Sequence, residues 1–267
     1  MVDVITVNNW NDLNDCLFDK TWDSTINRHR STFAYRGVSD ESWFIENGLS
    51  RLGKPYKNME QNLLKQFKKY AQKLIVERDT EWHWLSIAQH HGLPTRLIDW
   101  TYSPMVALHF ATDELNKYDK DGAVWKIDYS KAHEVLQDKQ KKSLAELGSR
   151  IFNVDSLHNT IEDLQALDSL HAESYDVAVF FEPPGIDDRI INQFAYFSVL
   201  SDPFLSMNKW FDMDPVKKNV DVTKIIIPKG LKLEIRDKLD QCNFTERVLF
   251  PGLDGLCSWL KRHYKPI

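Results

Sequence analysis

The chain has 267 residues and a net charge of −5, with 42% hydrophobic and 27% charged residues. This composition suits one large packed domain or two small ones, and it argues against disorder and against a general nucleic-acid coat protein. Three widely separated cysteines argue against a disulfide framework, and no run of about 18 apolar residues predicts a membrane span. The N-terminal segment has neither a basic nor a long apolar stretch, so we expect no signal peptide, a cytoplasmic location and no membrane contact.

The first 78 residues contain signals for two strands and two helices. Residues 4–20 predict a strand followed by a helix capped by Asn9 or Asn11, and residues 31–38 predict a second strand. Residues 59–78 predict a long amphipathic helix with lysines on its polar face. Its apolar face comprises Leu63, Phe67, Tyr70, Ala71 and Leu74.

The next predicted elements have clear start and stop signals. Thr80 begins a helix over 80–91, which Gly92 and Pro94 end. A short strand is predicted over 95–101, and Ser103 and Pro104 then begin a helix that extends to residue 116. Further strands are predicted over 122–128, 175–182, 195–201 and 223–228, with helices near 130–147, 160–170, 231–240 and 252–263.

The order of these elements predicts an α+β fold rather than a regular βαβ alternation, with helices dominating the first half. Neither an internal repeat nor a Pro/Gly/Ser-rich linker divides the chain. We therefore predict one domain over residues 1–267, with its motifs at about 30–200 and residues 201–267 completing it.

Charge is unevenly distributed along the chain. Residues 51–78 contain eight Lys/Arg and two Asp/Glu, whereas residues 153–188 contain nine Asp/Glu and no Lys/Arg. This asymmetry can orient an anionic ligand or a partner, or it can reflect two solvated faces.

Several functional signatures are absent from the sequence. It has no dinucleotide-binding GxGxxG, no phosphate-binding GxxxxGK[ST], and neither a GxSxG nor an HExxH segment. His83, His90 and His91 do not have zinc-ligand spacing, and no metal site is predicted.

Three other segments carry a specific pattern. The first is Phe33-Ala-Tyr-Arg-Gly37, the second runs from Gln89-His-His-Gly-Leu-Pro-Thr-Arg-Leu-Ile-Asp-Trp-Thr to Pro104, and the third contains Glu182-Pro-Pro-Gly185, Arg189 and Gln193. Together they resemble the FRG domain family, whose name comes from a Phe-Arg-Gly tripeptide. Tyr35 stands where that family has Phe, and Phe194-Ala195 stands where a Gln-Gly commonly follows.

The resemblance also implies an activity. The order of the family motifs is similar to that of ADP-ribosyltransferases, which implies a mixed, mainly antiparallel sheet and the use of NAD as substrate. The matching catalytic residues would be Arg36, Thr101 and Gln193. Arg36 would bind the diphosphate, because a guanidinium offers bidentate, charge-assisted hydrogen bonds. Gln193 would hold the ribose hydroxyls as positive charge develops on the ribose.

Five further residues are predicted to contribute to the NAD site. Aromatic clamping of the nicotinamide is assigned to Tyr35, Trp43 and Trp100, and Ser103 and His90 complete the predicted cofactor-binding set. A glutamine is a poor general base, so the acceptor's proton would pass to His90, His91 or Glu182.

Each of these residues also has a structural interpretation. Arg36 can form a buried ion pair with Asp99, Thr101 can end a strand, and Ser103 can serve as a helix cap. Trp43 and Trp100 are compatible with core positions, and His90 and His91 with a helix C-terminus.

The resemblance leaves three functions open. The first is an ADP-ribosyltransferase, such as a toxin or antiviral-defence effector, with a nucleic-acid or protein acceptor and a neutralising partner protein. The second is a non-catalytic module that binds a nucleotide or a protein. The third is a nuclease that uses Asp99, Glu81 and His90, although the sequence shows no paired-carboxylate motif.

Overall fold

The structure is a computed structural model that describes residues 1–53, 58–71, 79–170 and 175–265. These residues form the α+β fold that the sequence predicts. The strands are β1 (Val2–Thr6), β2 (Trp22–Asp23), β3 (Arg28–His29), β4 (Phe33–Val38), β5 (Ile98–Thr101), β6 (Gly122–Asp128), β7 (Phe152–Asn153), β8 (Ala178–Glu182), β9 (Ala195–Leu200) and β10 (Val222–Ile227).

The helices occur along the whole described chain. They are α1 (Trp10–Phe18), α2 (Met59–Ala71), α3 (Glu81–His90), α4 (Pro104–Thr112), α5 (Tyr129–Glu134), α6 (Asp138–Glu146), α7 (Val154–Thr160), α8 (Leu164–Asp168), α9 (Asp188–Asn192), α10 (Met207–Phe211), α11 (Asp214–Asn219), α12 (Lys232–Gln241), α13 (Glu246–Leu249) and α14 (Leu253–His263). None of them combines the length and apolarity that crossing a bilayer requires.

One eight-stranded sheet organises the molecule. Its order is β1-β10-β6-β4-β5-β9-β8-β7, and β2 and β3 form a separate hairpin. The β1–β10 and β7–β8 pairs are parallel and the other pairs are antiparallel, which confirms a mixed, mainly antiparallel sheet. Strand β10 lies between β1 and β6, so residues from both ends of the chain share this sheet.

Apolar side chains pack on both faces of the sheet. On one face, Phe33 and Tyr35 of β4 pack with residues of α1, α4 and α12. On the other, Trp100 and Trp125 belong to a second cluster that includes α10. Alternation along β4 therefore places consecutive side chains in different cores, with Phe33 and Tyr35 in one and Ala34 in the other.

The predicted helix caps are confirmed at three positions. The side chain of Asn9 accepts hydrogen bonds at the start of α1, Thr80 caps α3, and Ser103 caps α4. Each of these side chains satisfies a backbone N–H that has no partner within the first helical turn.

Several predicted boundaries differ from the structure. Helix α4 ends at Thr112 rather than at residue 116, and the helix predicted over 130–147 is divided into α5 and α6. The sequence predicts Tyr70 on the apolar face of α2, but its side chain is 74% exposed. The buried residues of this helix are Leu64 and Ala71. Leu74 and the end of the helix predicted over 59–78 lie outside the described residues.

Candidate functional site

A seam divides the sheet between β4 and β5. Strand β4 pairs with β6 along its whole length, and β5 pairs along its whole length with β9. Between themselves, β4 and β5 pair only at Tyr35 and Thr101. A cleft of about 680 Å³ lies beyond this bridge, between residues 36–39 and residue 99. Its volume is in the range of small-molecule sites.

Arg36 spans this seam. Its Nη1 donates a hydrogen bond of 2.5 Å to the main-chain oxygen of Asp99. The predicted ion pair is therefore replaced by a contact to the peptide carbonyl, although the nearby Asp99 carboxylate does stabilise the charge. Burial lowers the pKa of Arg36, opposed by Asp99, and Arg51 lowers it further. Nε of Arg36 is buried without a hydrogen-bond partner among the described residues, whereas most buried polar groups in proteins have one.

The residues on either side of Arg36 fix its position. The Tyr35 hydroxyl donates to the main-chain oxygen of Leu17 at 2.9 Å, which joins β4 to α1. Gly37 faces α4 so closely that a Cβ there would lie 1.8 Å from the main-chain oxygen of Ala107. In the segment Tyr35-Arg36-Gly37, Tyr35 thus anchors β4 to α1, Arg36 places a positive charge in the seam, and Gly37 allows α4 to approach closely.

Three arginines line the cleft. They are Arg36, Arg51 and Arg189. Arg51 is held by a 2.8 Å hydrogen bond from Nη1 to the main-chain oxygen of Glu46, and the Arg189 guanidinium lies 5.0 Å from the ring centroid of Phe250. Guanidinium groups can bind an anion such as a diphosphate, and the same cleft is also lined by the acidic residues Asp99, Asp113 and Glu114.

Residues of the second motif segment, which runs from Gln89 to Pro104, form the wall of the cleft opposite β4. Nε2 of Gln89 donates to Oδ2 of Asp99 at 2.8 Å, and its Oε1 accepts from Thr95 at 2.7 Å. His90 contacts the carboxylate of Asp187, and burial lowers the pKa of His90 while Asp187 opposes the shift. These contacts join the end of α3 to β5 and to the start of α9.

Arg96 in the same motif has a structural role. Its guanidinium is buried and pairs with Glu60 of α2 and with Asp168 of α8. This network joins three segments that are distant in sequence, and Arg96 does not line the cleft.

Thr101 and Gln193 also line the cleft. Oγ1 of Thr101 accepts a hydrogen bond from the backbone N–H of Ser103 at 3.0 Å. Nε2 of Gln193 donates to the main-chain oxygen of Leu249 at 2.9 Å, so the amide is fixed and the described residues leave its Oε1 available. Arg36, Thr101 and Gln193 thus share one cleft, and their catalytic roles stay predictions.

The predicted cofactor-binding residues other than Arg36 separate into three groups. His90 and Trp43 line the cleft, and the Trp43 residue is 38% exposed. Tyr35 and Trp100 border the cleft but are 1% and 3% exposed, because their rings pack in the core. Ser103 does not line the cleft, because its hydroxyl caps α4. Of the three predicted aromatic clamps, only Trp43 therefore offers a ring to a ligand.

The other proton acceptors considered from the sequence lie elsewhere. His91 and Glu182 are not among the residues that line the cleft. The nuclease hypothesis also lacks support, because Glu81 begins α3 and His90 ends it, about 13 Å apart at ~1.5 Å per residue. Glu81 instead accepts a hydrogen bond from the backbone of Leu164.

Asp113 is a cleft residue that the sequence analysis missed. It follows α4, lines the cleft, and accepts a 3.3 Å hydrogen bond from the Ser39 hydroxyl. Burial raises its pKa to about 6, and the adjacent Glu114 contributes to the shift. Two acidic residues directly after a helix C-terminus are unfavourable for the helix dipole, and this was a signal available in the sequence.

The comparisons with known proteins support the family resemblance for the first two motif segments and do not extend to the third segment, which contains Gln193. The model of the FRG domain matches residues 31–120. No curated protein and no solved structure matches the chain. The matched segment contains β4, α3 and β5, which form both sides of the seam. Residues 31–120 therefore resemble the FRG domain, and this matched segment supplies Arg36 and Thr101 to the cleft.

Proposed function

We propose that the cleft binds NAD and that the protein is an ADP-ribosyltransferase acting on a nucleic-acid or protein acceptor. The observation that carries this proposal is the convergence of Arg36, Thr101 and Gln193 on one cleft together with two further arginines. These three residues come from segments that are up to 157 positions apart in the sequence (193 minus 36).

The cleft offers the groups that this chemistry needs. Arg36 and its neighbouring arginines can bind the diphosphate through charge-assisted hydrogen bonds. Cleavage of the nicotinamide–ribose bond generates positive charge on the ribose, and Oε1 of Gln193 can accept a hydrogen bond from a ribose hydroxyl as that charge grows. The acceptor's proton passes to a base, for which His90 is the candidate because burial keeps its imidazole neutral near pH 7.

The direct test is incubation with NAD that carries separate labels on nicotinamide and on the adenylate. Release of nicotinamide with transfer of the adenylate label to a lysate component supports the proposal. If neither NAD binding nor nicotinamide release occurs with any acceptor, the proposal fails.

A non-catalytic nucleotide-binding module is the second candidate. It is favoured by the glutamine at position 193, where a carboxylate would be the stronger base. Such a module would be stabilised by NAD through mass action and would release no nicotinamide under any condition.

We predict that Gln193→Ala retains most NAD binding but lowers nicotinamide release by about 100-fold, because its hydrogen bond strengthens toward the transition state. Asn192→Ala is a matched control. Asn192 also tethers α9, through a 2.9 Å hydrogen bond to the main-chain oxygen of Val248, but it does not line the cleft. Calorimetry measures NAD affinity and single-turnover experiments measure the rate of nicotinamide release in both variants. If both variants lose the same rate, Gln193 only tethers α9 and has no catalytic role.

A second prediction concerns the acceptor. Lys65 and Lys69 on α2 are exposed, and Lys68 lies beside the Trp84 ring. Charge reversal at all three should weaken binding of a nucleic-acid acceptor by about tenfold or more at low salt, and the loss should shrink as salt rises. Unchanged binding in a filter assay at low salt would show that α2 is only a solvated face.

A further inference from the structure

The cleft has two ends along β4. Thr101 and Gln193 lie at the end near the pairing of β4 with β5. Arg36 is the next residue along β4 from this pairing. Ser39 and Asp113 mark the far end. Because the chain advances about 3.3 Å per residue in a strand, the far end lies roughly 10 Å beyond Arg36. The cleft therefore suits an elongated ligand with an anionic group in its middle.

The far end carries a carboxylate and an aromatic ring. Asp113 forms no ion pair with any Lys, Arg or His side chain that the structure describes. The hydroxyl of Ser39 lies 3.3 Å from its carboxylate and 3.1 Å from the main-chain oxygen of Phe110, which share the single hydroxyl hydrogen. Trp43 is partly exposed, and Nζ of Lys117 lies 5.0 Å from its ring centroid. Lys117 also pairs with Asp40 at 3.7 Å. The indole ring is therefore held in place on one side while part of its surface stays accessible.

We infer that this far end is an adenosine subsite, in which Trp43 stacks on the adenine rather than on the nicotinamide that the sequence analysis assigned to it, and Asp113 accepts hydrogen bonds from the ribose hydroxyls. The inference deepens the proposed function and rests on its binding step, not on the transfer reaction. It makes Asp113 the residue that distinguishes NAD from NADP.

The chemistry of the two dinucleotides explains this selectivity. A vicinal diol offers two O–H donors to the two oxygens of a carboxylate, and adenine offers a flat face to an indole. A 2′-phosphate removes one donor and places a second anion beside Asp113 and Glu114, both of which line the cleft. Like charges at such distances repel strongly where water is partly excluded.

The experiment measures affinities for NAD and NADP by calorimetry, which needs no turnover. The intact chain should bind NAD at least tenfold more tightly than NADP. Asp113→Asn should weaken NAD binding by about tenfold and remove most of the preference, because asparagine keeps the shape but loses the charge. Trp43→Leu should weaken binding of both dinucleotides to a similar extent, because it removes the stacking surface.

Asp119→Asn is the matched control. Asp119 is an exposed acid in the same loop, and it does not line the cleft. Its substitution should leave both affinities unchanged, and circular dichroism should show that both Asn variants are folded.

The outcomes separate this inference from the proposed function. If NAD binds in an Arg36-dependent manner but NADP binds equally well, the adenosine subsite is overturned and the proposed function stands. If the Asp113→Asn variant keeps the full preference for NAD over NADP, the adenosine subsite is likewise overturned and the proposed function stands. If the intact chain binds neither dinucleotide, the proposed function and this inference both fail.

Discussion

Substitution of Gly37 by alanine is expected to destabilise the fold strongly. The added Cβ would lie 1.8 Å from the main-chain oxygen of Ala107 and 2.7 Å from the backbone N of Ala111. Both atoms belong to the backbone of α4, which cannot rotate away as a side chain would. We expect a loss of more than about 4 kcal/mol, a large part of the ~5–15 kcal/mol that stabilises a typical domain. Urea unfolding followed by circular dichroism measures this loss.

Gly230→Ala provides the control for this prediction. No atom lies within 4 Å of the Cβ that this substitution adds, and Gly230 does not have a positive φ. The variant should unfold at nearly the same urea concentration as the original chain. A Gly37→Ala protein that is equally stable would show that β4 and α4 do not pack as described.

Substitution of Arg36 should have the largest effect on ligand binding. Arg36→Ala is expected to weaken NAD binding by about 100-fold, because a partly buried, bidentate donor to the diphosphate is lost. Arg36→Lys should be almost as weak, because an ammonium cannot both reach the carbonyl of Asp99 and present a planar fork. Calorimetry with NAD and the rate of nicotinamide release measure both effects.

Arg247→Ala is the corresponding control. The Arg247 guanidinium lies 4.8 Å from the ring centroid of Trp259 and does not line the cleft. The Arg247→Ala variant should therefore bind NAD with the affinity of the original chain. If Arg36→Ala unfolds the chain, the arginine is primarily a structural bridge across the seam. If this variant folds and binds NAD unchanged, Arg36 does not contact the diphosphate.

Local signals in the sequence predicted the main elements well. The cap residue Ser103 with Pro104 identified the start of α4, and the strands predicted over 31–38 and 122–128 correspond to β4 and β6. These signals are short-range, because a helix cap or a strand pattern involves residues within a few positions. Short elements such as α10 and β7 were missed, because five and two residues are too few to show a period.

Long-range features could not be predicted from these patterns. Motif order placed Arg36 and Gln193 together, but nothing local indicated that β4 and β5 would pair at only one position. The apolar face assigned to α2 was partly wrong for the same reason, since burial depends on which element packs against the helix. Asp113 was hidden inside a predicted helix that the structure ends at Thr112.

The seam has a further consequence for the sheet. A strand with an open edge presents unpaired N–H and C=O groups, and such edges normally invite pairing with another chain and aggregation. Beyond the pairing of Tyr35 with Thr101, the unpaired edges of β4 and β5 face each other inside the molecule. A small molecule can reach the backbone groups there more easily than a foreign strand can. The fold thus keeps these open edges away from other proteins, and their polar groups would be accessible to the proposed ligand.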